Sequence, residues 1–209
     1  MSERYPGGLI TTTPTAPTST SAGGIWTMDQ VLQYTKAGTW PFPPDPYFPY
    51  VTLLLPGNGT NGAQNNTFLD SSAYSRTVTR NGNVTQGTFT PYGSNWSNYF
   101  AGGSDTVSFP NNAANNFGSG AFTIEFWVYF TSASGQQECV TKYGSTSTGW
   151  TINLYGGTMN VNFSGDGFDI TGTQTISANT WYHVAVSGTP SSPGIKLFIN
   201  GVQDGSTYT

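Results

Sequence analysis

The sequence predicts an all-β protein: a two-sheet antiparallel sandwich preceded by an extended arm and one short helix. Three stretches carry that expectation. Ile195, Leu197 and Ile199 alternate with Lys196, Phe198 and Asn200, the period of a strand with one face on a core. Asn200-Gly201 supplies the positive φ angles of a type I′ turn and sends Val202–Tyr208 straight back. Upstream, Phe122, Ile124, Phe126, Val128 and Phe130 alternate with Thr123, Glu125, Trp127 and Tyr129. A strand apolar on one face and aromatic on much of the other is expected at the centre of its sheet.

Composition sets the bounds. At 209 residues the chain accommodates one sandwich with a sizeable core plus an appendage. Charged residues make up only 8% of it and the formal net charge is −4, so neutral polar groups must cover the surface. The six Lys and Arg are scattered singly, which leaves no footprint for phosphate neutralisation and argues against nucleic-acid binding. The longest apolar run, Val51–Leu55, is far too short to span a bilayer, and no signal peptide is discernible. The expectation is assembly in a cytoplasm. The single Cys139 reads as a buried or half-buried structural thiol. Sequons at Asn58, Asn65, Asn83, Asn95 and Asn162 read as turn chemistry.

In chain order, Met1–Gly24 is crowded with Thr, Ser, Pro and Gly and has no apolar periodicity. It reads as an extended arm, free or laid across a neighbouring subunit. Thr27-Met28-Asp29-Gln30 fits a capping box, and Gly38 falls where a left-handed C-terminal cap belongs. The spacing predicts a helix over about Met28–Ala37 with Met28, Val31, Leu32 and Thr35 on one face. So short a helix is marginal alone in water, so its stripe, with Trp26 and Trp40, needs a dock on the same chain or on another protein. Pro41–Pro49 reads as a stiff extended spacer. The domain boundary is placed there: residues 1–49 form arm, helix and linker, and residues 50–209 the sandwich.

Within the sandwich, Tyr50–Leu55 reads as a first strand, and Asn58–Asn66 as irregular. Thr77–Arg80 and Asn83–Thr85 flank Asn81-Gly82, the signature of a hairpin. Further strands follow at Ser97–Phe100, Thr106–Phe109, Phe122–Phe130, Cys139–Lys142, Trp150–Leu154, Thr158–Phe163, Phe168–Ile170, Thr175–Ile176, Trp181–Val186, Ile195–Ile199 and Val202–Tyr208. About ten to thirteen short strands at close spacing suit a jelly roll.

The run Trp181–Gly201, with Asn98–Pro110 and the Phe-Thr-Ile-Glu-Phe-Trp-Val strand at Phe122–Val128, resembles laminin-G-like, concanavalin A-like jelly-roll domains. The resemblance covers roughly Tyr50 to the end and implies the fold. It also implies further strands beyond the last hairpin, the final one pairing with the first strand of the domain. The sequence stops at Thr209, which would leave Val51–Leu55 as an exposed apolar edge. Either the polypeptide continues past Thr209 or another chain supplies the missing strand.

Glucanases on such folds place two carboxylates on one strand, whereas Glu125 stands alone on its strand. His183 is the one histidine and no Gly-X-Ser-X-Gly elbow precedes it, so no serine triad is expected. No catalytic residue and no cofactor is assigned. Asp166 and Asp169, with Asp105 or Asp70, are candidates for a rim calcium site, although a loop Asp is more often a turn former.

Two functions remain open. In one, the chain is a non-enzymatic virion structural or decoration protein, in capsid or tail, made in a host cytoplasm. The Thr/Pro/Gly arm, the capped helix ending in Gly-Thr-Trp-Pro and the laminin-G-like sandwich together resemble structural proteins of tailed bacteriophages. On that reading Trp26, Met28, Val31, Leu32 and Trp40 bind other virion proteins in a homo-oligomeric or multi-copy assembly. In the other, the sandwich is a lectin-like module for a host polysaccharide, with Trp96, Trp150 or Tyr92 stacking on sugar faces.

Overall fold

The computed structural model describes residues 16–18, 20–23, 26–41, 45–57, 67–92, 96–112, 115, 120–142, 149–163, 169–189 and 194–209. The chain divides into two units, Met1–Val51 and Thr52–Thr209. The expectations for residues 58–66 and for Asp166, and most of those for the arm, lie outside the described residues.

In the first unit, helix α1 runs over Met28–Lys36. The Thr27 hydroxyl oxygen accepts from the Gln30 N–H at 3.3 Å and the Gln30 Oε1 accepts from the Thr27 N–H at 2.9 Å, which completes the capping box. Gly38 closes the other end at φ +68°, a backbone region costly for any residue with a Cβ. Trp26 packs edge-on against Tyr34 and Trp40, at 5.3 and 5.4 Å between ring centroids. Two segments differ from expectation. Thr18 and Ser21 pair across a tight turn, so the arm is not extended there. The Pro-rich spacer folds back over its last residues: the Asp45 carboxylate accepts from the Tyr47 N–H at 2.9 Å, and a 3-10 turn follows at Phe48–Tyr50. Proline early in such a turn forfeits no hydrogen bond.

The second unit is all β, with twelve strands among its described residues. Strands β5 (Phe122–Tyr129), β10 (Trp181–Gly188), β11 (Ile195–Ile199) and β12 (Val202–Tyr208) form one antiparallel sheet in the order β12-β11-β10-β5. Strands β6 (Gln136–Lys142), β7 (Trp150–Tyr155), β8 (Thr158–Asn162) and β9 (Ile170–Thr171) form the second, in chain order. The apolar sides of both sheets meet in one core. Val184, Val186, Leu197 and Ile199 lie on one layer and Ile152, Leu154, Met159 and Val161 on the other, and all are buried. Such packing is the main source of stability, at about 25 cal/mol per Å² of apolar surface removed from water.

The two layers also meet edge to edge at β12 and β9. Asp204 points inward beside Leu197, and its Oδ1 accepts from the Thr173 N–H, the Thr173 hydroxyl and the Gln174 N–H at 2.8, 2.7 and 3.0 Å. Gly205 lies so close to the Thr171 carbonyl that a Cβ would collide with it.

Several sequence expectations need correction. Asn81-Gly82 does not close a hairpin between its flanking strands: β1 (Thr79–Asn81) pairs with β4 (Thr106–Ser108), and β2 (Thr85–Gly87) pairs with β3 (Ser97–Tyr99). Asp105 is the cause. Its carboxylate accepts from the Asn83 and Ala101 N–H groups at 2.7 and 2.9 Å, drawing the turn toward β4. Those two bonds, helped by the charge of Arg80, hold the Asp105 carboxyl below the usual range.

Residues 51–57 form no strand, so the exposed apolar edge does not arise. Their polar groups are met by the loop around Asp70 instead of a ladder. The Leu54 N–H donates to the Asp70 carboxylate at 2.9 Å, the Ser71 N–H to the Leu54 carbonyl at 2.8 Å, and the Arg76 Nε to the Thr52 carbonyl at 2.8 Å. Thr175–Ile176 is not a strand either: the Ile176 N–H donates to the Gly157 carbonyl at 2.8 Å and its side chain fills the core. Among the described residues β5 is an edge strand rather than a central one.

Candidate functional site

The outward face of the β12-β11-β10-β5 sheet does not need its aromatic residues for the core. Register sets them side by side. Trp181 lies opposite Tyr129, His183 opposite Trp127, and Ala185 opposite Glu125, which brings Glu125 diagonally next to His183. The His183 Nε2 stands 3.6 Å from the Glu125 Oε2, too long for a good hydrogen bond. The imidazole lies 5.3 Å from the Trp127 ring.

A second element completes the face. Strands β2 and β3 pair antiparallel, and the segment between them carries Phe89 and Tyr92. The Ser97 hydroxyl donates to the Phe89 carbonyl, fixing the start of that segment. Phe89 then stacks on Trp181 at 5.3 Å and meets Tyr129 edge-on at 4.7 Å. Tyr92 meets Trp127 edge-on at 5.4 Å. Tyr92 remains 57% exposed and Trp127 40%. The Glu125 side chain is 65% exposed. A broad indole beside a phenol, an imidazole and a carboxylate offers a flat apolar surface with hydrogen-bonding groups at its rim, the composition of an orienting ligand site.

The sequence-assigned residues scatter differently. Of the three sugar-stacking candidates, Tyr92 belongs to this face. Trp96 is half-buried in the chain before β3, and Trp150 is half-buried at the start of β7. Sequence reasoning passed over Trp127, His183 and Glu125 as a group, weighing the acid and the histidine only as catalysts; the two-sided alternation of β5 was the signal that could have found them.

In the first unit Trp26 and Trp40 are occupied by one another and by Tyr34, and Val31 is half-buried. Met28 is 82% and Leu32 52% exposed. No helix in the described residues is long and apolar enough to cross a membrane.

Asp70, Asp105 and Asp169, the calcium candidates among the described residues, form no common cluster. Asp70 is buried and accepts from the N–H groups of Leu54, Ser72 and Arg76 and from the Ser72 hydroxyl, each at 2.9 Å. Burial raises its pKa, but these hydrogen bonds outweigh burial and leave the carboxyl below its ordinary value. Asp105 is committed to Asn83 and Ala101. Asp169 accepts from the Phe163 N–H. Among the described residues no three His, Cys, Asp or Glu gather in a metal-binding cluster. Cys139 sits at a bulge of β6, packed against the core. Burial, with the charge of Glu138, pushes its thiol up to about 12, against the opposing hydrogen bond from Leu154.

Two antiparallel four-stranded layers over a shared core define a concanavalin A-like jelly roll. The laminin-G family model described as the concanavalin A-like lectin/glucanases superfamily matches residues 101–209, just over half of the chain, and the chain belongs to that superfamily. Two solved structures are similar. One, described as a receptor binding domain, aligns over 79% of this chain and 41% of its own, at 18% identity and a TM-score of 0.52. The other, the botulinum neurotoxin serotype C1 binding domain, aligns over 71% of this chain and 38% of its own, at 20% identity and a TM-score of 0.50. At such identity the likeness is one of fold, and the chain spans about two fifths of the length of each. No curated protein sequence matches the chain significantly.

Proposed function

We propose that the sandwich is a non-enzymatic glycan-binding module whose platform is Trp127 with Tyr92, His183 and Glu125. The observation that carries this reading is the exposed Trp127 ring, which is held in place by its neighbours yet unused by the core. The apolar C–H face of a sugar stacks on such a ring while rim groups bond its hydroxyls. Membership of a lectin-containing superfamily agrees, as does likeness to structures described as binding domains. The test is a glycan array probed with the full chain and with Trp127→Ala. The variant is expected to lose at least about tenfold in affinity for whatever the wild type binds, at unchanged far-ultraviolet circular dichroism. An array without hits, or hits indifferent to Trp127, overturns the reading.

A second observation favours a role for the first unit. A helix with both ends capped that leaves Met28 and Leu32 in water carries an apolar stripe in search of a partner. We infer that it docks the chain, with Trp26, Val31 and Trp40 shaping the contact, into a multi-copy virion assembly that displays the sandwich to host polysaccharide. Met28→Glu with Leu32→Glu is expected to abolish incorporation into purified particles while glycan binding persists. Normal incorporation would refute it.

A further inference from the structure

Charge at the platform narrows the ligand. Glu125 carries the one carboxylate on the described outward face of β5 and β10, and it accepts no hydrogen bond among the described residues; its nearest partner is the His183 Nε2 at 3.6 Å. The carboxylate stands two residues from Trp127 on the same side of the strand, about 7 Å along it, roughly the width of one hexose ring. The described cations of the second unit lie off β5 and β10. Arg76 donates to Thr52 and lies over Tyr74, Arg80 donates to Val84, and Lys142 donates to Asn115. Lys196, on the outward side of β11, aligns with Ser187 and Thr123, one same-face row beyond Glu125 and two strands across from β5.

We propose, building on the glycan reading above, that the platform selects a sugar bearing a free amine, and disfavours sialylated, uronic or sulfated glycans. The hexosamine ring covers Trp127 and its ammonium reaches Glu125, gaining an ion pair and the attraction of aromatic faces for a cation. An anionic sugar at the same place meets Glu125 with like charge, and neither β5 nor β10 carries an arginine or lysine to offset it.

Calorimetry on the full chain tests this with short glucosamine oligomers, N-acetylglucosamine oligomers of equal length, and a heparin fragment of similar size. The amine form is expected to bind about fivefold more tightly than the acetylated form. A chain of net charge −4 attracts any cation, so Glu125→Gln is the decisive variant. It should bring the two affinities together, by weakening the amine form more than the acetylated one. Equal affinities in the wild type, a preference that survives Glu125→Gln, or tighter binding of heparin overturns the amine inference and leaves the platform standing, provided Trp127→Ala still removes binding. Absence of binding to all three overturns the amine inference alone when the array still yields Trp127-dependent hits, and defeats both readings when it yields none.

Discussion

The two sheets share one core but present opposite outer faces. On β5 and β10 that face is a run of rings, Trp127, Tyr129, Trp181 and His183, the first exposed and the other three half-buried. On the second sheet the row in register is polar: Glu138, Asn153, Asn160 and Thr171 follow one another across β6 to β9. Asn153 and Asn160 are almost wholly buried. The Asn160 amide donates to the Tyr155 and Thr158 carbonyls at 3.1 and 2.9 Å, and Glu138 accepts from Thr151 and Asn153. Hydropathy taken alone would assign these faces the other way, with rings inside and amides outside. Wet rings cost stability and buried amides are costly unless paired; Asn153 and Asn160 pair their NH2 groups, while the Oδ1 of each is buried without a partner among the described residues. The polar row is built into the sheet, and the aromatic row is the one on which the proposed glycan reading rests.

Breaking the core that both faces share gives the largest effect. Leu154→Ala is expected to lower the free energy of unfolding by about 3 kcal/mol, from lost burial and the cavity left behind, as read by urea denaturation. The contrast between faces is sharpened by a pair of variants. Asn160→Ala, which removes the amide donor to the Tyr155 and Thr158 carbonyls, is expected to cost about 1–2 kcal/mol, whereas Trp127→Ala is expected to cost less than about 1 kcal/mol because its ring lies outside the core and is 40% exposed. Equal losses would erase the distinction drawn between the faces. Acid reaches a region that neither face uses. The folded Asp70 pKa lies below its ordinary 3.8, so its contribution is complete above that value and is lost as pH falls through the folded one. Thermal unfolding between pH 5 and pH 2 should show a smaller decline in Asp70→Asn than in the wild type.

Alternation made much of the sandwich legible. Strands β5, β8, β11 and β12 lie within a residue or two of where Phe122–Phe130, Thr158–Phe163, Ile195–Ile199 and Val202–Tyr208 were expected: apolar residues recurring at a period of two mark the inward side of β5, β8 and β11, and the Asn200-Gly201 turn sends β12 back. The capped helix was equally readable, since Thr27, Gln30 and Gly38 act on their own neighbours in the chain. What stayed hidden depends on partners far away in sequence. The Asn81-Gly82 turn was overridden by Asp105, and the apolar run Val51–Leu55 is tied down by Asp70 and Arg76. The platform was hidden for a related reason: alternation on β5 marks Trp127 and Glu125 as outward-facing, but register across strands decides that Tyr92 and His183 meet them.

The junction at Asp204 has a kinetic consequence. One carboxylate oxygen gathers three donors from residues 173 and 174 and so ties β12 to the opposite layer. A tie of that kind opens by exchanging protein donors for water, with little apolar surface exposed at the moment of release. The amide hydrogens of Thr173 and Gln174 should therefore exchange with deuterium earlier than those of Val184 or Leu197, reporting the parting of the two layers well before the whole sandwich melts.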